Sequence, residues 1–141
     1  MGHRRGHPVP PWDDLGAIAP AGGLYSTGRD MLGFVKANLQ PETTPLAAAL
    51  GSAQAARRTI DDGPDSIGLG WHHRESGSHP VTWHNGGTAG FSSIVVLDPT
   101  DRFGFFVLAN SGPSRGMPLD RATWAIHRDL ATPGAVRHRS T

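Results

Sequence analysis

Phe91-Ser-Ser-Ile-Val-Val-Leu97, Asp98-Pro-Thr-Asp-Arg102 and Phe103-Gly-Phe-Phe-Val-Leu-Ala109 follow one another without a break. The outer two segments are rich in β-branched and aromatic residues, and the one between them is a cluster of turn formers. This order predicts an antiparallel β-hairpin. Both strands are apolar at successive rather than alternate positions, so both faces of their sheet should be covered.

The neighbouring segments supply the covers. Upstream, Ile67-Gly-Leu-Gly-Trp71 and Pro80–His84 read as further strands, for an antiparallel sheet of about three or four. Downstream, Met117-Pro118 opens a helix that carries Leu119, Ala122, Ile126 and Leu130 on one side and stops at Pro133-Gly134. Before the strands lies a helical pair. Thr27 can cap the first helix, with Asp30 near its positive end and Met31, Phe34, Val35 and Leu39 on one face, and Gln40-Pro41 ends it. The second starts at Thr44-Pro45, carries Leu46, Leu50 and Ala53, and places Arg57-Arg58 at its negative end. Residues 1–22 show no periodicity and are punctuated by Pro8, Pro10, Pro11 and Pro20, which predicts an extended connector. The expected order is thus a connector over 1–22, helices over 26–58, antiparallel strands over 67–110 and a closing helix over 117–131. That is an α+β arrangement, a sheet with helices packed on it.

Composition narrows the function classes. The chain has 141 residues, one domain's worth, with 19 Gly and 12 Pro against 28 Leu, Ile, Val and Phe. That is a thin core, yet the formal charge of +1 supplies none of the self-repulsion typical of disorder. The longest apolar runs are too short to span a bilayer, and the basic, Pro-rich start has no apolar signal-peptide core, which leaves the location open, with cytoplasmic as the default and an extracytoplasmic place open to full-length relatives. With no cysteine, disulfides, thiolate catalysis and Cys-bound zinc are excluded. The arginines are scattered among acids apart from the short tail Arg137-His138-Arg139, so no nucleic-acid footprint is present.

The segment Trp83-His84-Asn85-Gly86-Gly87-Thr88-Ala89-Gly90-Phe91 holds three glycines within five positions just before the hairpin. Such spacing points either to close backbone approach and an exposed N–H, or to a bulged turn with an incidental histidine. Two other patterns carry less. Gly112-Pro113-Ser114-Arg115-Gly116 matches the nucleophile elbow Gly-x-Ser-x-Gly, but that device needs a parallel sheet with later βα units, so a plain loop into the last helix is expected. His72, His73, His79 and His84 could suggest a metal, yet strand neighbours point to opposite faces and no carboxylate has ligand spacing, so no metal or other cofactor is expected. Trp71, Trp83 and Trp124 are expected to line the core or a pocket.

Ala19-Pro-Ala-Gly-Gly-Leu-Tyr-Ser-Thr-Gly-Arg-Asp-Met-Leu-Gly-Phe34, Gly68-Leu-Gly-Trp71, His84 to Ser93, Leu97-Asp-Pro99 and Val107-Leu-Ala-Asn110, in this order, resemble the C-terminal half of the beta-lactamase-related serine hydrolases. That family includes class C beta-lactamases, DD-peptidases, D-aminopeptidases and esterases. The resemblance implies a partial beta-lactamase/transpeptidase-like fold. It also implies that His84-Asn85-Gly86 takes the place of the family's Lys-Thr-Gly strand element. His84 would then be catalytic, Asn85 and Gly86 would contact substrate, and the Gly87 N–H would be one of two oxyanion donors. The chain departs from the family in lacking Ser-x-x-Lys and Tyr-x-Asn: Gly33 stands three residues before Lys36, and Tyr25 is followed by Ser26-Thr27.

The expectation is therefore a truncated member. The complete domain would hydrolyse a small-molecule or peptide ester, amide or beta-lactam through an acyl-serine, and these residues alone would be inactive. The alternative is a non-catalytic remnant or a sheet-completing module, whose exposed edge would favour self-association.

Overall fold

The computed structural model describes residues 1–12, 14–60, 63–76, 79–113 and 118–131. Its strands and helices, in chain order, are β1 (Gly2–Arg4), β2 (His7–Val9), α1 (Ala19–Gly22), α2 (Gly28–Leu39), α3 (Ala47–Gln54), β3 (Arg58–Thr59), β4 (Ser66–Ile67), β5 (His72–Ser76), β6 (His79–Gly87), β7 (Ser92–Asp98), β8 (Phe103–Ala109) and α4 (Pro118–Ala131). The architecture of the described residues is α+β: a large antiparallel sheet in the order β3-β4-β5-β6-β7-β8 with helices on both faces, and a separate two-stranded sheet of β1 and β2.

The hairpin read from the sequence is β7 and β8, paired from Ser92↔Ala109 to Asp98↔Phe103. Its turn is locked by a side chain, since Asp98 Oδ1 accepts the Asp101 N–H at 2.9 Å, and Arg102 takes a positive φ of 59° to reverse the chain. Because side chains alternate, Ile94 and Val96 join Val81 beneath Leu119 and Trp124 of α4, while Leu97 joins Val35 of α2 and Trp71 on the opposite face. This two-sided burial explains the unbroken apolar run. Gly104 is where α2 crosses most closely: a Cβ there would stand 2.9 Å from Val35 Cγ1 and 3.1 Å from Leu39 Cδ1. Thr27 caps α2 by accepting the Asp30 N–H at 3.2 Å and donating its hydroxyl to Asp30 Oδ2 at 2.8 Å.

Two expectations need correction. Among the described residues the large sheet has six strands rather than three or four, because β3 and β4 are two residues each, too short to carry a periodic signal. Residues 1–22 are not an extended connector. They form the hairpin β1–β2, a 3-10 turn at Gly16–Ile18 and the short α1. Arg5 and Gly6 both have positive φ, 52° and 81°, as a two-residue hairpin turn of the primed type requires. The hairpin is docked on the large sheet: the His3 N–H donates to Gly90 O and Asn110 O, both at 3.0 Å, and His3 O accepts the Gly112 N–H at 2.8 Å. Three-residue strands have no period to read, and the residues on which they dock, Gly90, Asn110 and Gly112, are distant in sequence.

The second helix begins later than Thr44-Pro45 and ends at Gln54, with Arg57 folding back to donate to Ser52 O at 2.9 Å. The Ser114–Gly116 part of the elbow pattern, the stop at Pro133-Gly134 and the tail Arg137–Arg139 lie outside the described residues. Among the described residues, no helix is long and apolar enough to cross a membrane.

The sheet also buries a polar cluster. Asp98, 0% exposed, accepts from His127 Nε2 at 2.9 Å and from His79 Nε2 at 3.1 and 3.2 Å. Burial alone would raise its pKa. The Asp101 N–H and the two imidazoles outweigh that and hold the carboxyl below its ordinary range.

Candidate active-site strand

β6 is nine residues long, and its two neighbours do not cover it equally. β7 pairs with it from Thr82 to Gly87, whereas β5 stops at Trp83. Along His84–Gly87, among the described residues, no strand pairs on the β5 side. The ladder decides what this open edge offers. The Thr88 N–H donates to Phe91 O at 3.0 Å, which makes Gly87↔Ser92 a non-hydrogen-bonded pair of the antiparallel ladder. By alternation Asn85 and Gly87 turn their N–H and C=O groups away from β7, toward the open side. Among the described residues, no strand takes up these outward-facing backbone donors and acceptors.

Side chains along this stretch go to different faces. His84 is exposed and lies near His72, with ring centroids 5.5 Å apart; His72 in turn stacks on Trp83 at 4.9 Å. Partial burial of the ring, and then the neighbouring His72, hold the His84 pKa below its ordinary value. At neutral pH it is an uncharged imidazole, able to accept a proton, where a lysine would be a fixed cation. Asn85 points to the other face and donates through Nδ2 to Asp120 Oδ2 in the first turn of α4, at 2.9 Å. Gly86 has Ser93 beside it, and a Cβ at Gly87 would meet Pro113 Cγ at 2.1 Å. The absence of a side chain at Gly87 therefore has a packing cause whatever its N–H does.

A cavity of about 550 Å³ opens on the α4 side, lined among others by Asn85, Gly87, Ser111, Pro113, Leu119 and Asp120. The docked N-terminal hairpin steadies its rim, because His3 bridges Gly90 to Asn110 and Gly112. The structure brings Asn85, Gly86 and Gly87 to the wall of this cavity and leaves His84 on the opposite face of the same open edge.

Asp120 is the residue that sequence reading missed. An acid in the first turn of a helix is ordinarily explained by the dipole, so nothing local marks it as a partner of Asn85. The four strand histidines do not gather at one point: His72 and His84 lie together, and His73 and His79 go elsewhere. His72 lies with Trp83 and His84, His73 is buried against Thr82 Oγ1 at 3.1 Å, and His79 reaches Asp98. Contrary to the sequence expectation, His79 does have carboxylates beside it, from Asp98 and Asp101. Trp71 is buried with Val35 and Leu97, and Trp83 packs edge-on against Trp124 at 5.5 Å.

Two comparisons with known proteins bear on this strand. Unguisins hydrolase ungD of Aspergillus violaceofuscus (strain CBS 115571) is 27% identical over 121 residues, covering 72% of this chain and 21% of that protein. The chain thus spans about one fifth of the length of this curated relative. The family model described as Beta-lactamase matches residues 1–128, from the docked hairpin through most of α4 and across every strand of the sheet. On that match, the chain belongs to the beta-lactamase family.

Proposed function

We propose that this chain forms one wall of a serine-hydrolase site that acts on an ester, amide or beta-lactam through an acyl-serine. The observation that carries the reading is the open edge of β6 at His84–Gly87, where backbone donors face outward beside a neutral imidazole. A substrate chain can lie along such an edge, with the Gly87 N–H as one oxyanion donor and Asn85 and Gly86 at its flank. His84 takes the proton-transfer role. The nucleophile and the second oxyanion donor come from residues beyond these, since Ser-x-x-Lys does not occur in the sequence. By themselves these residues bind without turning over substrate.

A serine-directed fluorophosphonate or a labelled penicillin tests this on the purified chain. No covalent adduct is expected, and stoichiometric labelling of any serine here would overturn the reading. With a Ser-x-x-Lys segment present, encoded in frame upstream or supplied by a second polypeptide, His84→Ala should lower kcat by about 100-fold or more. An unchanged rate removes His84 from the site.

A second reading, a non-catalytic module that completes a sheet with another chain, draws on β8. That strand is at the edge of the sheet and carries Leu108, 48% exposed. Sedimentation of the purified chain separates the two, since a concentration-dependent dimer abolished by a charged residue at Leu108 belongs to the second reading alone.

A further inference from the structure

At the end of the sheet away from His84, we propose that His79, Asp98 and Asp101 bind a divalent transition-metal cation. The three come from separate elements: the first residue of β6, the last of β7, and the turn that follows it. They still bring one donor atom each within 4.8 Å of one another. Hydrogen bonding accounts for only part of this arrangement. His79 Nε2 stands almost evenly between the two oxygens of Asp98, at 3.1 and 3.2 Å, and a second carboxylate, Asp101 Oδ2, lies 4.0 Å away, beyond hydrogen-bond reach. Donors around a tetrahedral zinc ion with bonds of about 2.0–2.1 Å are separated by about 3.3 Å. The observed spacings bracket that value, so a cation can enter with small side-chain shifts.

The chemistry of the set agrees. One imidazole and two carboxylates form a mixed nitrogen and oxygen site suited to Zn²⁺ or Mn²⁺, and the two carboxylates offset the ion's charge. The carboxylate of Asp98 is already oriented: His127 of α4 holds Oδ2 at 2.9 Å and the Asp101 N–H holds Oδ1 at 2.9 Å. Such outer contacts are what fix a ligating carboxylate. Asp101 is 36% exposed in its side chain, which leaves a path from solvent and room for water to complete the coordination. A bound ion would tie the start of β6 to the β7–β8 turn and, through Asp98 and His127, to α4.

Calorimetric titration of the purified chain with ZnCl2, and with MnCl2 in a second run, tests the site. One saturable site per chain is expected for at least one of the two ions, together with a rise in the thermal midpoint. Asp101→Ala lies on the turn surface and should fold; it and His79→Gln should weaken binding by about tenfold or more. His72→Gln should bind as the parent does. Failure of the parent to bind either ion overturns the proposal. So does unchanged affinity in Asp101→Ala, or an equal loss in His72→Gln, which would place the ion among the other histidines.

Discussion

The two ends of β6 contain the same residue type and behave in opposite ways. At its start, His79 is drawn into a polar cluster around the fully buried Asp98, with His127 closing it from α4. At its far end, His84 is exposed, and among the described residues the backbone beside it has no strand partner on one side. The difference lies in the neighbours rather than in the histidines. β5 pairs with the strand from His79 to Trp83 and β7 from Thr82 to Gly87, so each end has one strand partner; what closes over His79 is the set of side chains Asp98, Asp101 and His127. A polar group enclosed by side-chain partners is held in one orientation, whereas one at an uncovered edge is left free to meet an extended substrate.

The largest effect expected from breaking this contrast is at the closed end. Asp98→Ala leaves two imidazoles without their shared acceptor inside the sheet and should cost about 3–5 kcal/mol, read as a lower urea midpoint. Next comes Gly87→Ala, which drives a Cβ into Pro113 and should destabilise by about 1–3 kcal/mol. A normal midpoint for that variant would mean that Pro113 moves aside freely.

Acid gives a smaller effect. His73 is held below its ordinary pKa by desolvation first and by His72 second, and His84 is shifted the same way. For a histidine with a depressed folded pKa, the unfolded chain takes up the proton first. Stability is therefore flat above the ordinary value of 6.5 and falls as pH drops below it, until the folded pKa is passed. The slope should not exceed about 1.4 kcal/mol per pH unit for each histidine, and His73→Gln should flatten it in a pH series of urea melts. The smallest effect is His84→Ala, expected to change stability by less than about 0.5 kcal/mol because the ring is exposed. A larger loss would make the two ends of β6 alike and turn His84 into a structural residue.

Much of this contrast was legible before any tertiary contact was known. The β7–β8 hairpin is written in a turn cluster between two β-branched runs, and α2 in a cap, an apolar face and a terminal proline. The glycine spacing after His84 left close backbone approach and a bulged turn both open, and it was the family resemblance that placed His84-Asn85-Gly86 together on a strand. The hairpin and helix signals are local, carried by residues a few positions apart, and local chemistry suffices to produce them.

What the tertiary structure alone decided is where such segments meet. Which face His84 and Asn85 each take follows from register, and one residue of slip would exchange them. That Asn85 would find Asp120, 35 residues away, that His79 and His127 would converge on Asp98, and that His3 would dock on Asn110 depend on contacts between distant segments. The sequence by itself determined the longer helices and strands and the family resemblance; the packing decided the short strands and which edge stays open. An edge is open only because another strand, β5, stops short of it, and no residue of β6 encodes where its neighbour ends.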